Sequence, residues 1–331
     1  MGPGAGARLP PTMAVLVSSS ACRTLRYSDP EELRTVTREA EIELLQASRG
    51  GLEGATTRFS AREVAMQHTV LSTSTILRGA ASPSSIVLFL PLRWEGEYKL
   101  NGVTIEQPRL LSIEDEFVRS ATNLDTLSFA LPREPVEAAA LALAGLAEKK
   151  REIGTAAIQG PPTELAALEA QMVRLARLTR LDPEALDVTE CREALERQLL
   201  TEAVGLFAKL YESPSSTTRI DTGKHEVVRR AEERFETAPE KPVSLADLCL
   251  AAGVSARALQ YAFRDLYGVS PIRYFRLRRL HEAHRSLRTA LPERSAVKRA
   301  ALGAGLTDLG RFSVEYRALF GQSPSATLTE H

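Results

Sequence analysis

The chain has 331 residues, of which 44% are hydrophobic, 25% charged and 5% aromatic, and its formal net charge is zero. This composition is typical of a folded globular protein and excludes a collagen-like or intrinsically disordered chain, while the length favours two domains over one. No apolar run approaches the roughly 20 residues that a membrane-spanning helix needs, so no membrane role is expected.

The charges are unevenly distributed along the chain. Residues 1–220 carry 24 Lys and Arg against 29 Asp and Glu, a net charge of −5, whereas residues 243–328 carry 13 against 6, a net charge of +7. Only the second part has the positive excess that binding to phosphates requires. Cys22, Cys191 and Cys249 are scattered and form no Cys-x-x-Cys pair, which favours reduced thiols and a cytoplasmic location.

The N-terminal part is predicted to be a disordered tail followed by a β-domain. Gly, Pro and Ser are frequent at the start, so residues 1–30 are expected to form the tail and residues 31–212 a domain of strands and helices. Asn101-Gly102 predicts a two-residue hairpin turn. Short β-branched and aromatic runs predict antiparallel strands in a sandwich or barrel at Glu41–Ala47, Arg62–Thr69, Ser85–Leu92, Val103–Ile105, Leu110–Ile113 and Leu124–Leu131.

Three helices are predicted after Pro132, at Pro135–Arg151, Pro162–Leu181 and Pro183–Tyr211, because apolar residues recur there at spacings of three and four. Two interpretations of their apolar faces are compatible. The faces pack on the barrel, or one of them forms a homodimer. One face is lined by Leu165, Leu168, Met172, Leu175 and Leu178, and another by Leu195, Leu199, Ala203, Leu206 and Leu210.

A polar, Pro-containing stretch marks the next boundary. We expect residues 213–242 to be a linker that includes a helix at Lys224–Glu236, and residues 243–331 to form a separate all-helical domain.

This last domain contains an internal repeat. Gly253-Val254-Ser255 corresponds to Gly305-Leu306-Thr307, and Gly268-Val269-Ser270-Pro271 corresponds to Gly321-Gln322-Ser323-Pro324. Each copy predicts a helix-turn-helix, with Gly253 or Gly305 in the tight turn. Ser244 and Ser295 are predicted to cap the first helices, and Ser255 and Thr307 the second ones. The buried faces of the second helices should be Leu259, Phe263 and Leu266, and Phe312, Tyr316 and Phe320.

These residues resemble the AraC/XylS family of bacterial transcription regulators. The resemblance covers Val243 through Leu328 and includes Gly253-Val254-Ser255, Leu259-Gln260, Gly268-Val269-Ser270-Pro271 and Phe320-Gly321-Gln322-Ser323-Pro324. The upstream layout is similar, more weakly, to the family's cupin-like sensing and dimerisation domain. The resemblance therefore implies an α+β protein with an N-terminal antiparallel β-barrel-like sensing domain and a C-terminal all-α double helix-turn-helix domain.

A recognition helix presents its N-terminal residues to base edges in the major groove of double-stranded DNA. In the first copy we expect this surface to comprise Ser255, Ala256, Arg257, Gln260, Tyr261 and Arg264. Arg257 has the chemistry to bind guanine O6 and N7, and Gln260 that to bind adenine N6 and N7. Arg264 is assigned to phosphate.

In the second copy the resemblance indicates Thr307, Asp308, Leu309, Gly310, Arg311, Ser313 and Val314. This surface has fewer hydrogen-bond donors, so the first copy is expected to supply most of the base specificity and the second mainly affinity and shape reading.

The leading hypothesis is therefore an effector-responsive, dimeric transcription regulator, an activator by analogy, that reads two successive major grooves per monomer. Its unknown small-molecule effector would bind in the barrel, and RNA polymerase is a further candidate partner. Neither an enzyme motif nor a cofactor or metal signature was found, and His281 and His284 are interpreted as a solvated or DNA-facing pair. The alternative is a barrel-shaped binding protein or enzyme that carries DNA-binding helices in a non-regulatory role.

Overall fold

The computed structural model describes residues 14–18, 21–36, 40–114, 116–148, 155–158, 161–212, 222–239, 241 and 243–329. In these ranges one antiparallel sheet, shaped as a half-barrel, dominates the N-terminal part, and the C-terminal part consists only of helices. The predicted α+β class is confirmed. Among the described residues no helix is both long and apolar enough to cross a membrane.

The sheet is organised around its longest strand. The strands are β1 (Ala14–Ser18), β2 (Cys22–Tyr27), β3 (Ala40–Gln46), β4 (Gly54–Ser60), β5 (Ala65–Leu71), β6 (Thr75–Ala81), β7 (Ser85–Leu100), β8 (Val103–Ile105), β9 (Leu111–Ile113), β10 (Glu116–Pro132) and β11 (Ala156–Ala157). The first part of β10 pairs with β6 and its second part with β5, while β7 pairs along the other edge. β3 is joined to the sheet through β6.

The predicted hairpin turn at Asn101-Gly102 is confirmed. It connects β7 to β8, and both residues have positive φ, 49° at Asn101 and 79° at Gly102. These angles are the ones that a two-residue hairpin loop of this type requires, which explains why the sequence signal was reliable here.

The helices are α1 (Pro30–Val36), α2 (Arg133–Ala144), α3 (Pro162–Leu181), α4 (Thr189–Glu212), α5 (Thr222–Glu236), α6 (Leu245–Ala252), α7 (Ala256–Tyr267), α8 (Pro271–Thr289), α9 (Ala296–Gly303), α10 (Leu309–Phe320) and α11 (Pro324–Thr329), with a 3-10 turn at Glu184–Asp187. The predicted apolar faces of α3 and α4 are used inside the monomer. Leu168, Met172, Ala203 and Leu206 are fully buried and share a core with Phe129 of the sheet. Packing on the sheet is therefore confirmed, and the central residues of these faces are not free to form a homodimer.

Two predictions about the N-terminal part are wrong, and two further strands were missed. Residues 14–18 and 22–27 are strands of the sheet, and a helix begins at Pro30, so the tail predicted for residues 1–30 does not hold for the described part of that range. β4 and β6 were not predicted. The helix expected to run to Arg151 ends at Ala144, with a left-handed Gly145 after it. The linker stretch at 213–221 lies outside the described residues.

Candidate nucleic-acid interface

The C-terminal helices form two helix-turn-helix units joined by α8. The first consists of α6 and α7, and the second of α9 and α10. Gly253 and Gly305 have φ of 68° and 72°, which places both turn residues in the left-handed region that glycine adopts without strain. The predicted buried faces are confirmed, since Leu259, Phe263 and Leu266, and Phe312, Tyr316 and Phe320, are all buried.

The predicted helix caps are confirmed in the first unit and wrong in the second, where the Ser295 side chain makes no capping hydrogen bond at the start of α9. Ser244 forms a capping box with Asp247, and Ser255 accepts the Ala258 N–H at 3.3 Å. In the second unit Asp308, and not Thr307, caps α10 by accepting the Arg311 N–H at 2.9 Å. An Asp carboxylate serves this purpose well because it also interacts favourably with the positive end of the helix dipole.

The outward surface of α7 carries the chemistry that base recognition needs. Ser255, Ala256, Arg257, Tyr261 and Arg264 are exposed. Gln260 is half-buried beside them. None of the residues assigned to DNA contact in the first copy is therefore buried in the core.

Arg257 and Tyr261 interact with each other on this surface. Arg257 Nη2 donates to Tyr261 Oη at 3.3 Å, and the guanidinium lies 5.5 Å from the centre of the Tyr261 ring. A guanidinium has five N–H donors, so this contact leaves donors of Arg257 for the bidentate binding of guanine.

The corresponding surface of α10 is poorer in free donors. Thr307, Asp308, Gly310, Arg311, Ser313 and Val314 are exposed and Leu309 is half-buried. Arg311 Nε donates to Glu315 at 2.8 Å, and this hydrogen bond and the Glu315 charge raise the pKa of Arg311. Ser313 Oγ donates to the Leu309 carbonyl at 2.9 Å. Val314, 70% exposed, is the most exposed apolar side chain of this surface and offers only methyl groups.

Most arginines of α8 are engaged inside the protein. Arg285 lies 3.6 Å from both Glu31 and Glu43 of the N-terminal domain, and Arg288 lies 2.7 Å from Asp29. The net charge of +7 therefore overstates the charge that the C-terminal domain can offer to phosphate, a point that the sequence count alone could not show.

Two exposed cations that sequence reasoning did not select remain available for phosphate. Lys298 on α9 and Arg317 on α10 are exposed, and neither forms an ion pair within the part of the chain that the structure describes. In a helix-turn-helix the first helix crosses the DNA backbone, so the position of Lys298 on α9 was a usable signal.

The interpretation of His281 and His284 as solvated or DNA-facing is wrong. Both are buried at the contact between α8 and the N-terminal domain. The Gln46 N–H donates to His281 Nε2 at 3.0 Å, and His284 lies between Asp29 and Tyr316 at 2.6 Å from each. Burial, together with the charge of His284, lowers the pKa of His281 to about 3. Burial works to raise the pKa of Asp29, but the His284 hydrogen bond and the Arg288 charge hold it below its ordinary value.

A second contact between the domains is centred on one carboxylate. Glu232 of α5 accepts hydrogen bonds from Tyr267 Oη at 2.8 Å, Tyr274 Oη at 2.5 Å and Arg78 Nη1 at 2.7 Å. Arg78 belongs to β6, so this carboxylate joins the sheet to both α7 and α8. Burial and the Glu232 charge raise the pKa of Tyr274, which keeps its hydroxyl a donor at neutral pH.

Comparisons with known proteins agree with this architecture. Residues 248–330 match the family model described as a helix-turn-helix domain. The chain is similar to the probable thc operon regulatory protein of Rhodococcus erythropolis, with 33% identity over 152 residues that cover 44% of each chain. It is also similar to the XylDLEGF operon transcriptional activator 2 of Pseudomonas putida, with 32% identity over 102 residues, or 31% of this chain and 65% of that one. It therefore spans less than two thirds of the length of both relatives.

Among solved structures, the chain is similar to a probable AraC family transcriptional regulator from Rhodopseudomonas palustris. The identity is 36% over 31% of this chain and 95% of that chain, with a TM-score of 0.29. The two helix-turn-helix units and the family match over residues 248–330 show that the C-terminal domain is a double helix-turn-helix domain. It is of the AraC type, and the chain is similar through it to AraC/XylS-type DNA-binding transcription regulators.

Proposed function

We propose that this protein regulates transcription by placing α7 and α10 in two successive major grooves on one face of the DNA, with α7 as the main reader of bases. The observation that carries the proposal is the exposed surface of the capped helix α7, where Arg257 and Gln260 present bidentate donor and acceptor groups. Its role is binding rather than catalysis, and its place is the cytoplasm, where it meets its operator.

The test is selection of bound sequences from random double-stranded DNA, followed by hydroxyl-radical footprinting of the selected site. We expect each monomer to protect two segments about 10 base pairs apart on the same face of the duplex. Protection of one groove per monomer would contradict the two-groove geometry, and failure to enrich any sequence would contradict specific recognition.

We further propose that the N-terminal domain senses a small-molecule effector and passes the signal directly to the DNA-binding domain. The sheet itself contacts the recognition unit. Gln46 of β3 hydrogen-bonds to His281, and its Nε2 donates to the Leu319 carbonyl of α10 at 2.5 Å, while Glu232 links β6 to α7. An effector that favours one arrangement of this contact would change DNA affinity, which is the requirement for allostery.

The proposal includes a homodimer formed near the turn between α3 and α4. Leu181 and Val188 are exposed there, at 69% and 52%, beyond the faces that the monomer buries. Sedimentation velocity of the parent and of Leu181→Glu tests it, with an exposed polar position on the same helix, Arg174→Glu, as the control. We expect only Leu181→Glu to dissociate a dimer. A parent chain that is monomeric at micromolar concentration would contradict the proposal.

A further inference from the structure

The half-barrel encloses a cavity on its inner side. The cavity is lined by apolar side chains of β3, β6, β7 and β10, among them Ile42, Leu77, Phe89 and Phe117, and its volume is about 60 Å³. One water needs only about 10–15 Å³, so the space accommodates several atoms of a compact ligand.

One charged side chain lies in this apolar lining. Arg119 of β10 is only 3% exposed, and its Nε and Nη2 have no hydrogen-bond partner among the residues that the structure describes. The Tyr98 hydroxyl, which interacts electrostatically with Arg119, is also buried without a partner. Burial lowers the pKa of Arg119. A buried guanidinium without a counter-charge is strongly unfavourable, so its presence here needs an explanation.

Among the described residues that line the cavity, only Arg119 has buried side-chain atoms without a hydrogen-bond partner. Tyr27 Oη and Thr69 Oγ1 are each hydrogen-bonded to Thr56 Oγ1, at 3.0 and 3.1 Å, and Thr126 Oγ1 donates to the Leu90 carbonyl at 3.4 Å. The unmet hydrogen-bonding capacity is therefore concentrated at Arg119 and Tyr98, which are donors. A cationic donor in a mainly apolar cavity, with a second donor close to it, defines a site for an anion attached to an apolar body.

We propose that this cavity binds a small carboxylate with a compact apolar body, whose carboxylate pairs with the guanidinium of Arg119. This inference rests on the proposed effector response and names the chemical class of the effector. The planar guanidinium matches a carboxylate in two parallel hydrogen bonds, and Tyr98 supplies a third donor. The size of the cavity limits the apolar part to a small ring or a short branched chain.

The position of Arg119 on β10 connects the cavity to the DNA-binding domain. Successive residues of a strand point to opposite faces. Arg119 points into the cavity, and its neighbour Val118 packs against the core of the first helix-turn-helix. Its other neighbour, Ser120, lies against Gly268 at the end of α7. A ligand that moves Arg119 therefore moves the strand β10 that packs directly against α7 on its other face.

The experiment measures thermal unfolding of the full chain with cyclohexanecarboxylate and 3-methylbutanoate, each compared with its uncharged carboxamide. Four proteins are compared: the parent, Arg119→Lys, Arg119→Met and Arg93→Met. Arg93 is an exposed arginine of β7 and serves as the matched control. We expect at least one carboxylate, and neither carboxamide, to raise the Tm of the parent and of Arg93→Met.

Arg119→Met should bind the carboxylate about 10-fold to 100-fold more weakly, as expected for lost hydrogen bonds to a charged group, and Arg119→Lys should lie between. In the absence of ligand, Arg119→Met should melt at or above the parent temperature, because it removes an unpaired buried charge. A purely structural role of Arg119 predicts the opposite. Equal stabilisation by the carboxamides, unchanged binding in Arg119→Met, or no stabilisation by either carboxylate would overturn the inference.

Operator affinity measured in parallel separates this inference from the proposed function. If a carboxylate binds through Arg119 but operator affinity does not change, the binding site in the cavity is supported and the proposed effector response is contradicted. If another compound changes operator affinity while neither carboxylate binds, the proposed effector response is supported and the inference about the cavity is contradicted.

Discussion

Replacing Glu232 with Ala tests the coupling between the two domains. The substitution removes the acceptor shared by Tyr267, Tyr274 and Arg78. Tyr267 and Tyr274 are 3% and 0% exposed, so their hydroxyl groups cannot turn to water instead. Arg78 retains the Tyr274 hydroxyl at 3.0 Å as an acceptor and a more distant carboxylate, Glu43 at 3.5 Å.

The expected loss follows from these contacts. A buried hydroxyl left without a partner costs about 1–3 kcal/mol, and breaking a largely buried ion pair costs about 3–5 kcal/mol. Because the three interactions share one carboxylate, their losses are not additive, and we expect a total of about 3–5 kcal/mol. This is a large part of the roughly 5–15 kcal/mol that stabilises a typical domain.

Urea denaturation followed by two signals provides the assay. Trp94, the single tryptophan, reports on the sheet through its fluorescence, and circular dichroism at 222 nm reports mainly on the helices. We expect the two transitions to coincide in the parent and to separate in Glu232→Ala. The neighbouring Glu233→Ala is the control, because Glu233 is 56% exposed against 13% for Glu232, and it should behave like the parent. A loss below about 1 kcal/mol in Glu232→Ala, or equal effects of the two variants, would refute the reasoning.

Three further outcomes are expected. Arg257→Ala should weaken binding by about 1–3 kcal/mol and relax one base position, as measured on single-base operator variants; equal discrimination by variant and parent would contradict its assignment. Arg264→Ala should weaken binding to all DNA sequences alike. It should also lower the magnitude of the slope of the logarithm of the binding constant against the logarithm of the salt concentration by about 0.9, as expected for the loss of one phosphate contact. Lowering the pH from 7 to 5 should cost about 2 kcal/mol of stability, because the pKa of His281 is about 3 when folded against 6.5 when unfolded, so the folded state binds fewer protons. This loss begins below about pH 6.5 and should disappear in His281→Gln, whose amide oxygen can still accept the Gln46 N–H; an unchanged pH dependence in that variant would count against the assignment.

The features that the sequence predicted well are local ones. The turn glycines, the Ser244 and Ser255 caps and the buried stripe from Leu259 to Leu266 depend on residues a few positions apart, and the structure confirms them. The hairpin at Asn101-Gly102 was predictable for the same reason, because its φ angles are restricted by the residues themselves.

The features that were missed depend on long-range contacts or weak patterns. β4, with sequence GATTRFS, and β6, with sequence TILRGAA, have Gly, Ala and Arg where a strand signal needs β-branched or aromatic residues. His281 is buried against Gln46, 235 positions away, and no spacing within α8 could indicate that. Arg119 could have been found, since strand alternation places it on the same face as Phe117 and Ala121, an unusual position for arginine.

The contact between α8 and the acidic residues of the N-terminal domain has a consequence for how the protein behaves near DNA. The positive charges of Arg285 and Arg288 are balanced by carboxylates of the same chain, Asp29, Glu31 and Glu43. Because these carboxylates are covalently part of the protein, they stay beside the arginines at any protein concentration. The N-terminal domain thereby competes with the nucleic acid for part of the positive charge of the DNA-binding domain. If the domains separated, two arginines would be freed for phosphate, and the salt slope of non-specific binding would steepen by about 2. The formal neutrality of the whole chain thus reflects two parts of opposite net charge that partly neutralise each other at this contact.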